Sequence, residues 1–394
     1  MKALRNIPTL LTLLVLSTLQ SGAVTFESQI GGKEHDHARA VSVVDDGYLI
    51  AGYSDSFTKH RDEEGYLIKL DPTGKKRWSM HFGTKEDEKL YGITVDDANN
   101  ILVTGYTERL GNNRQSVYLA KISPEGKFLW HHGYWQRSNS LYTGKDLVQS
   151  YGGGYIIAAI QDRPKFFKKA VDIFVVGTDR DGHRIGSRYY GGSKEDRAEA
   201  IIKDDGGYVI AGSTESWGHG DKDMYLIKTD KSGNRLWHQV YGGEDDDVAN
   251  DIIATDDGYV MVGTTDSFDL TDDDVYVVKV DKQGKRLWHR TYGGSRDEVG
   301  NAIIEDDDGY VIVGGTASTG KPGYEMDVYL FKISKKNGKL LWQRTYGKED
   351  EDIGYDIAKT KDGYIIVGDT QTPRHRYYDV YVIKTDKDGK IADK

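Results

Sequence analysis

Two kinds of residue in this sequence could bind something, and they are distributed in opposite ways. Acidic residues recur at one register. Asp36, Glu88, Asp196, Asp247, Glu298 and Asp352 each stand four places after a Gly-Gly pair or its equivalent, and Thr143 takes that place in the one remaining copy. Carboxylates converging on a channel mouth would hold a cation. Carboxylates each facing its own turn would cap free backbone N–H groups. Repetition at a fixed register favours capping. The second kind occurs once each: Lys165-Phe166-Phe167-Lys168, Arg374-His375-Arg376 before Tyr377-Tyr378, and Trp217 with His219. Arginine, lysine and aromatic side chains are what interfaces and sites for acidic glycans use. Architecture cannot demand a residue that occurs in one copy only, so these nine are the expected ligand-binding residues.

The chemistry the chain lacks narrows the classes further. It has no Cys, which removes disulfides, thiolate metal sites and Cys nucleophiles. No HExxH, P-loop or dinucleotide fingerprint is present. No metal or cofactor is expected, and no catalytic residue can be assigned. The net charge of −10 argues against nucleic acid, whose binding rests on phosphate neutralisation.

The first 23 residues read as a secretory signal peptide. Lys2 and Arg5 supply the charged start, Ile7 to Leu19 is mostly apolar, and Ser21-Gly22-Ala23 offers a small-residue cleavage site. The apolar stretch is shorter than the ~20 residues a membrane span needs. Residues 24–394 are expected as a single exported domain, periplasmic or extracellular, and monomeric.

The elements that must position the candidates are written into a repeat. Tyr190 to Trp237 is followed by two clear copies from Tyr241 and Tyr292, and weaker ones are anchored at Ile30, Phe82, Tyr134 and Tyr346. Each unit holds four short segments rich in Val, Ile and Tyr, separated by Gly and Asp turns such as Asp230-Lys231-Ser232-Gly233. Four strands at a period near ~50 residues predict an all-β, seven-bladed β-propeller. The first strand of each unit is rich in small residues, as the crowded axis requires. The fourth carries Trp78, Trp130, Trp237, Trp288 or Trp342, which should pack between blades. The last unit lacks this strand, and Phe26 to Ile30 matches it. The N-terminal segment should therefore complete the last blade and close the ring.

Segments such as GYLIKLDPTGKKRWSMHFG and DVYVVKVDKQGKRLWHRTYGGSRDEVGNAIIEDDDGYVIVGGT resemble the seven-bladed propeller repeat of exported prokaryotic proteins. The resemblance implies fold and location, and no reaction. Asp71 to Trp78 is also similar to the tryptophan-docking motif of quinoprotein dehydrogenases and outer-membrane assembly propellers, but those have eight blades. Unit three departs most, with Gly177 in place of the repeated Lys and Gly186 in place of the Trp. The expected function is a binding scaffold recognising a protein or acidic glycan on the face carrying the long loops. The alternative is a polysaccharide lyase or hydrolase at the channel mouth.

Overall fold

The computed structural model describes residues 23–57, 62–83, 86–108, 114–137, 139–163, 171–268, 272–318, 325–347, 350–371 and 377–392. The expected signal peptide lies outside them apart from Ala23. Among the described residues, 28 strands form seven four-stranded antiparallel sheets. Six sheets run in simple chain order. The seventh has the order β1 (Phe26–Ile30), β28 (Tyr378–Asp386), β27 (Gly363–Gln371), β26 (Asp352–Lys359). Phe26 pairs with Lys384 and Ile30 with Val380, so the first strand of the chain completes the last blade. The chain is a seven-bladed β-propeller.

The local reasons are the expected ones. In the strand-three-to-four turns the aspartate accepts from two backbone amides: Asp281 Oδ1 takes Gln283 N and Lys285 N, both at 2.9 Å. Gly284 follows with φ +81°, a conformation open to glycine. The strand-three lysines are buried, or half-buried at Lys121, and paired with carboxylates of the first hairpin turn. Lys121 meets Asp96 at 2.8 Å, Lys279 meets Asp257 at 2.8 Å and Lys384 meets Asp362 at 2.8 Å. The tyrosine opening strand two of the next blade joins the pair: Tyr155 donates to Asp96 and Tyr259 to Asp204.

Seven apolar clusters form the core, one at each blade-to-blade interface. Full burial of one such Val, Ile or Leu side chain stabilises by about 1.5–3 kcal/mol. Six of the clusters also hold a half-buried ring from strand four: Trp78, Trp130, Trp237, Trp288, Trp342 or Phe26. Each ring lies on the turn glycine of the neighbouring blade. A Cβ on Gly126 would stand 3.1 Å from the Trp78 indole, and one on Gly74 2.6 Å from the Phe26 ring. The tryptophans are thus packing groups, docked across blades. Unit three keeps all four strands despite its sequence departures, but the cluster between blades three and four has no such ring.

Candidate functional site

The repeated acidic residues cap. The amide of Gly32 donates to Asp36, Gly192 to Asp196, Gly243 to Asp247 and Gly294 to Glu298, all at 2.5–2.7 Å. Ser56, Ser216 and Ser267 donate to the first three of these carboxylates at 2.6–2.9 Å. Each of these carboxylates thus has an oxygen committed to its own loop. Among the described residues no group of three His, Asp or Glu side chains is placed to hold a metal.

One residue per blade escapes the repeat. Every innermost strand carries a β-bulge, and the bulged residues are Arg39, Tyr91, Lys145, Glu199, Asn250, Asn301 and Tyr355 in blades one to seven. The bulge brings backbone against strand two. A Cβ on Gly212 would lie 1.9 Å from the Arg197 carbonyl oxygen, hence the glycine there. The register repeats in every blade, while the residue at it varies, with Tyr and Asn each used twice. These side chains touch their counterparts around the axis. The Arg39 guanidinium lies 4.0 Å from the Tyr355 ring centroid, Lys145 Nζ lies 5.5 Å from that of Tyr91, and Lys145 pairs with Glu199 at 2.7 Å. Asn250 and Asn301 instead donate to the Gly300 and Gly354 carbonyls of the following blade. Cations and phenols therefore occupy blades seven, one, two and three, and the acid and amides the rest.

At the junction of blades seven and one this arc opens into a cavity of about 240 Å³ lined by His37, Arg39, Glu351, Tyr355, Asp369 and Tyr378 among others. Asp369 is the hub. It accepts from the Ala38 amide at 3.1 Å and from Arg39 Nη1 at 2.9 Å, and stands 2.6 Å from His37 Nδ1. Arg39 Nη2 also donates to the Tyr53 hydroxyl at 3.0 Å. The His37 ring packs on Tyr53 at 4.6 Å and Tyr378 at 5.5 Å, and His35 packs edge-on against Tyr377 at 5.0 Å. Tyr378 donates to Glu351. Burial works against the Arg39 charge, but Asp369 and the phenols of Tyr53 and Tyr355 outweigh it and raise its pKa above the ordinary guanidinium value. Burial pushes the Tyr355 phenol up to about 12 and raises that of Tyr378, which Glu351 raises further. The cavity thus presents a guanidinium paired with Asp369, a second carboxylate in Glu351, protonated phenols and ring faces. Such groups suit polar, hydroxyl-rich ligands.

The nine residues expected from sequence are not gathered here. Lys165, Phe166, Phe167, Lys168, Arg374, His375 and Arg376 lie outside the described residues. Tyr377 and Tyr378, which follow Arg376 directly, do enter the cluster. Trp217 packs on Tyr225 at 5.4 Å and His238 at 4.8 Å within blade four. Phe57 with Tyr66 and His81, and Phe268 with Tyr276 and His289, make the same arrangement in blades one and five. Trp217 therefore occupies a recurring packing position. His219 is exposed on the same blade-four loop, its amide donating to Asp223 at 3.0 Å. Sequence reasoning missed His37, Arg39, Tyr53, Tyr91, Lys145, Tyr355 and Asp369. The hint in the sequence is a strand-two glycine facing the bulge, such as Gly212.

No family model matches the sequence. The regulatory protein FlaEY of Caulobacter vibrioides is 25% identical over 175 residues, 38% of this chain and 18% of that protein, so the chain spans less than a fifth of this curated relative. Among solved structures, the Pan2 WD40 domain of Neurospora crassa superposes with a TM-score of 0.54 at 11% identity, over 92% of this chain and 98% of that one. Sqt1 of Chaetomium thermophilum gives 0.50 at 11% identity, over 87% and 82%. An acylaminoacyl peptidase of Pyrococcus horikoshii gives 0.51 at 10% identity, over 91% of this chain and 52% of that one. At such identities the likeness is one of fold, and it supports the propeller assignment. No helix among the described residues is long and apolar enough to cross a membrane.

Proposed function

We propose that this protein is an exported binding scaffold of the prokaryotic propeller-repeat kind. It would recognise an anionic protein surface or acidic glycan on the loop face over blades seven, one, two and three. The observation that carries this reading is the arc of Arg39, Tyr91, Lys145 and Tyr355 at the bulges of blades one, two, three and seven, where the other blades carry Glu199, Asn250 and Asn301. Arg39 and Lys145 each hold a carboxylate, Asp369 and Glu199, which an anionic partner would have to displace or share. In the sequence Lys165, Lys168 and Arg374 stand between the second and third strands of blades three and seven, which belong to the same arc.

The test is binding by the purified secreted protein to an array of acidic glycans and cell-surface proteins. Changing Lys165, Lys168 and Arg374 together to Glu should abolish capture and leave the melting temperature unchanged. Changing Asp272, Asp273 and Asp274 to Ser, on the opposite arc, should leave it intact. Binding should weaken with salt, since exposed charges are screened over about 8–10 Å at physiological ionic strength. Loss in the Ser variant and retention in the Glu variant would refute the reading.

A second reading has one observation in its favour. His37 Nδ1 stands 2.6 Å from Asp369, beside the phenols of Tyr53 and Tyr378 and the guanidinium of Arg39. An oriented imidazole with phenols and a cation is the equipment for abstracting a proton next to a uronate carboxylate. Release of unsaturated products from any bound polyuronate, lost in His37→Ala, would replace the scaffold with a lyase.

A further inference from the structure

The interface between blades three and four lacks three staples at once. Six interfaces of the ring hold an aromatic ring from strand four on the neighbour's turn glycine; here the position is Gly186. Strand three elsewhere carries a buried lysine paired across the sheet with the docking residue, as Lys228 opposes Trp237; here Gly177 opposes Gly186. The first hairpin turn elsewhere supplies the lysine's carboxylate. Here it reads Ser150-Tyr151-Gly152-Gly153, and Tyr151 packs on Tyr208 at 5.7 Å. Yet the receiving turn is kept, with the Arg188 side chain lying along it, its Cδ and Nε 3.2 Å from a Cβ placed on Gly233. Tyr190 still donates to the Gly233 carbonyl at 2.6 Å, as Tyr241 does to Gly284 at 2.5 Å. Gly233 keeps its turn conformation, with φ +77°.

The room left by the missing indole has not collapsed. A cavity of about 370 Å³ lies between the blades, floored by Ile156, Ile201, Ile210 and Tyr208 and bounded by Gly186 and Gly233. A Cβ placed on Gly186 would meet nothing within 4 Å. Ile185, at its edge, is 73% exposed, against 43–59% for Leu129, Leu236, Leu287 and Leu341, which precede the docked tryptophans. The volume falls within the range of small-molecule sites, and its walls are apolar. The rim is cationic. Arg188 lines the cavity, held by its Nε–H donating to the Ser232 carbonyl at 3.2 Å, and Lys231 lines it with its ammonium 4.4 Å from the Tyr151 ring centroid.

We propose that this vacant slot binds a free small molecule: a planar aromatic of one or two fused rings bearing a carboxylate. The ring would lie on the Gly233 turn as the indoles lie on their glycines in six sister interfaces, and the carboxylate would meet Arg188 and Lys231. The site is on the rim and independent of the channel-mouth reading above.

Indole-3-acetate is the probe, followed by calorimetry and by ligand-observed NMR on the full chain. Wild type should bind it saturably. Gly186→Trp supplies the missing indole in cis; it should raise the melting temperature and eliminate binding. Arg188→Glu, at an exposed side chain, should weaken indole-3-acetate by about tenfold or more while sparing neutral indole. Absence of saturable binding to wild type at millimolar probe would overturn the proposal. So would unchanged affinity in both variants. Binding of an acidic tryptophan-containing peptide without binding of the free acid would also overturn it, and assign the slot to a partner protein.

Discussion

Trp288 tests what a docked ring is worth. It lies on Gly338 of the next blade, where a Cβ would come within 3.0 Å of the indole, yet it is only half-buried. Truncating a fully buried aromatic costs about 3–5 kcal/mol. For this partly exposed ring the expected cost of Trp288→Ala is about 2 kcal/mol, seen as a lower urea midpoint with an unchanged slope. Gly338→Ala should cost a similar amount from the other side, because φ is +70° and the methyl would push the ring away. At this scale the sequence was an uneven guide. Trp, the turn Asp and the capping carboxylates were legible because repetition ties residue type to a local task. Arg39 and Asp369 were not. Their pairing depends on which strands meet at the ring's seam, and they are separated by 330 positions.

The element whose loss should matter most is β1. It contributes Phe26 and Ile30 to the core between blades seven and one and hydrogen-bonds along the whole of its length to β28. Tyr381 adds a side-chain bond to Glu27 at 2.6 Å. Deleting residues 24–32 should uncover the edge of β28 and the Gly74 turn, lower the melting temperature sharply and promote association through the bare edge. A truncated protein with the full-length melting temperature would show that closure does not depend on this strand. The four-strand unit and the N-terminal closure could both be read from the spacing of Trp, Tyr and Gly. The bulge in each first strand could not, because its signature is a backbone slip. Only the facing glycine of strand two, such as Gly212, hints at it.

For the whole molecule, pH is the informative variable. Asp146, Asp251 and Asp356 follow the bulges of alternate blades, and each accepts an amide of the next blade: Ile201 at 2.9 Å, Ile303 at 2.8 Å and Val41 at 2.7 Å. Burial pushes Asp146 up to about 6 and Asp356 up to about 7, and raises Asp251 as well. Their folded pKa values exceed the unfolded ones, so the native state holds more protons and stability falls as pH rises through about 6 to 7. Asp204 acts the other way. Burial raises it, but Lys228 and Tyr259 prevail and set it at about 2, so its contribution is present above the ordinary carboxylate range and lost as pH falls towards 2. The urea midpoint should therefore rise from about pH 8 to about pH 5 and fall below about pH 4. Replacing Asp146, Asp251 and Asp356 with Asn should make the upper limb shallower and leave the acid limb in place. Asp274, raised by burial to about 6, still adds to that upper limb, and the imidazoles of His81, His131, His238 and His289, lowered by burial, oppose it. A wild-type midpoint that climbs steadily towards pH 8 would contradict this assignment.

The seam between β1 and β28 also sets a clock. Glu27 and Tyr381 lie 354 positions apart, so the strand made first waits for nearly the entire chain before it finds its partner. Each blade can zip up from local hairpins, but joining the ends is a single long-range encounter, and such contacts form late. Until then Phe26 and Ile30 stay uncovered, a sticky end beside an open sheet. Refolding should accordingly show two phases, fast sheet formation and a slower circularisation. Moving the break in the chain to a turn within blade four, with the old ends joined, should transfer the slow phase to the new seam.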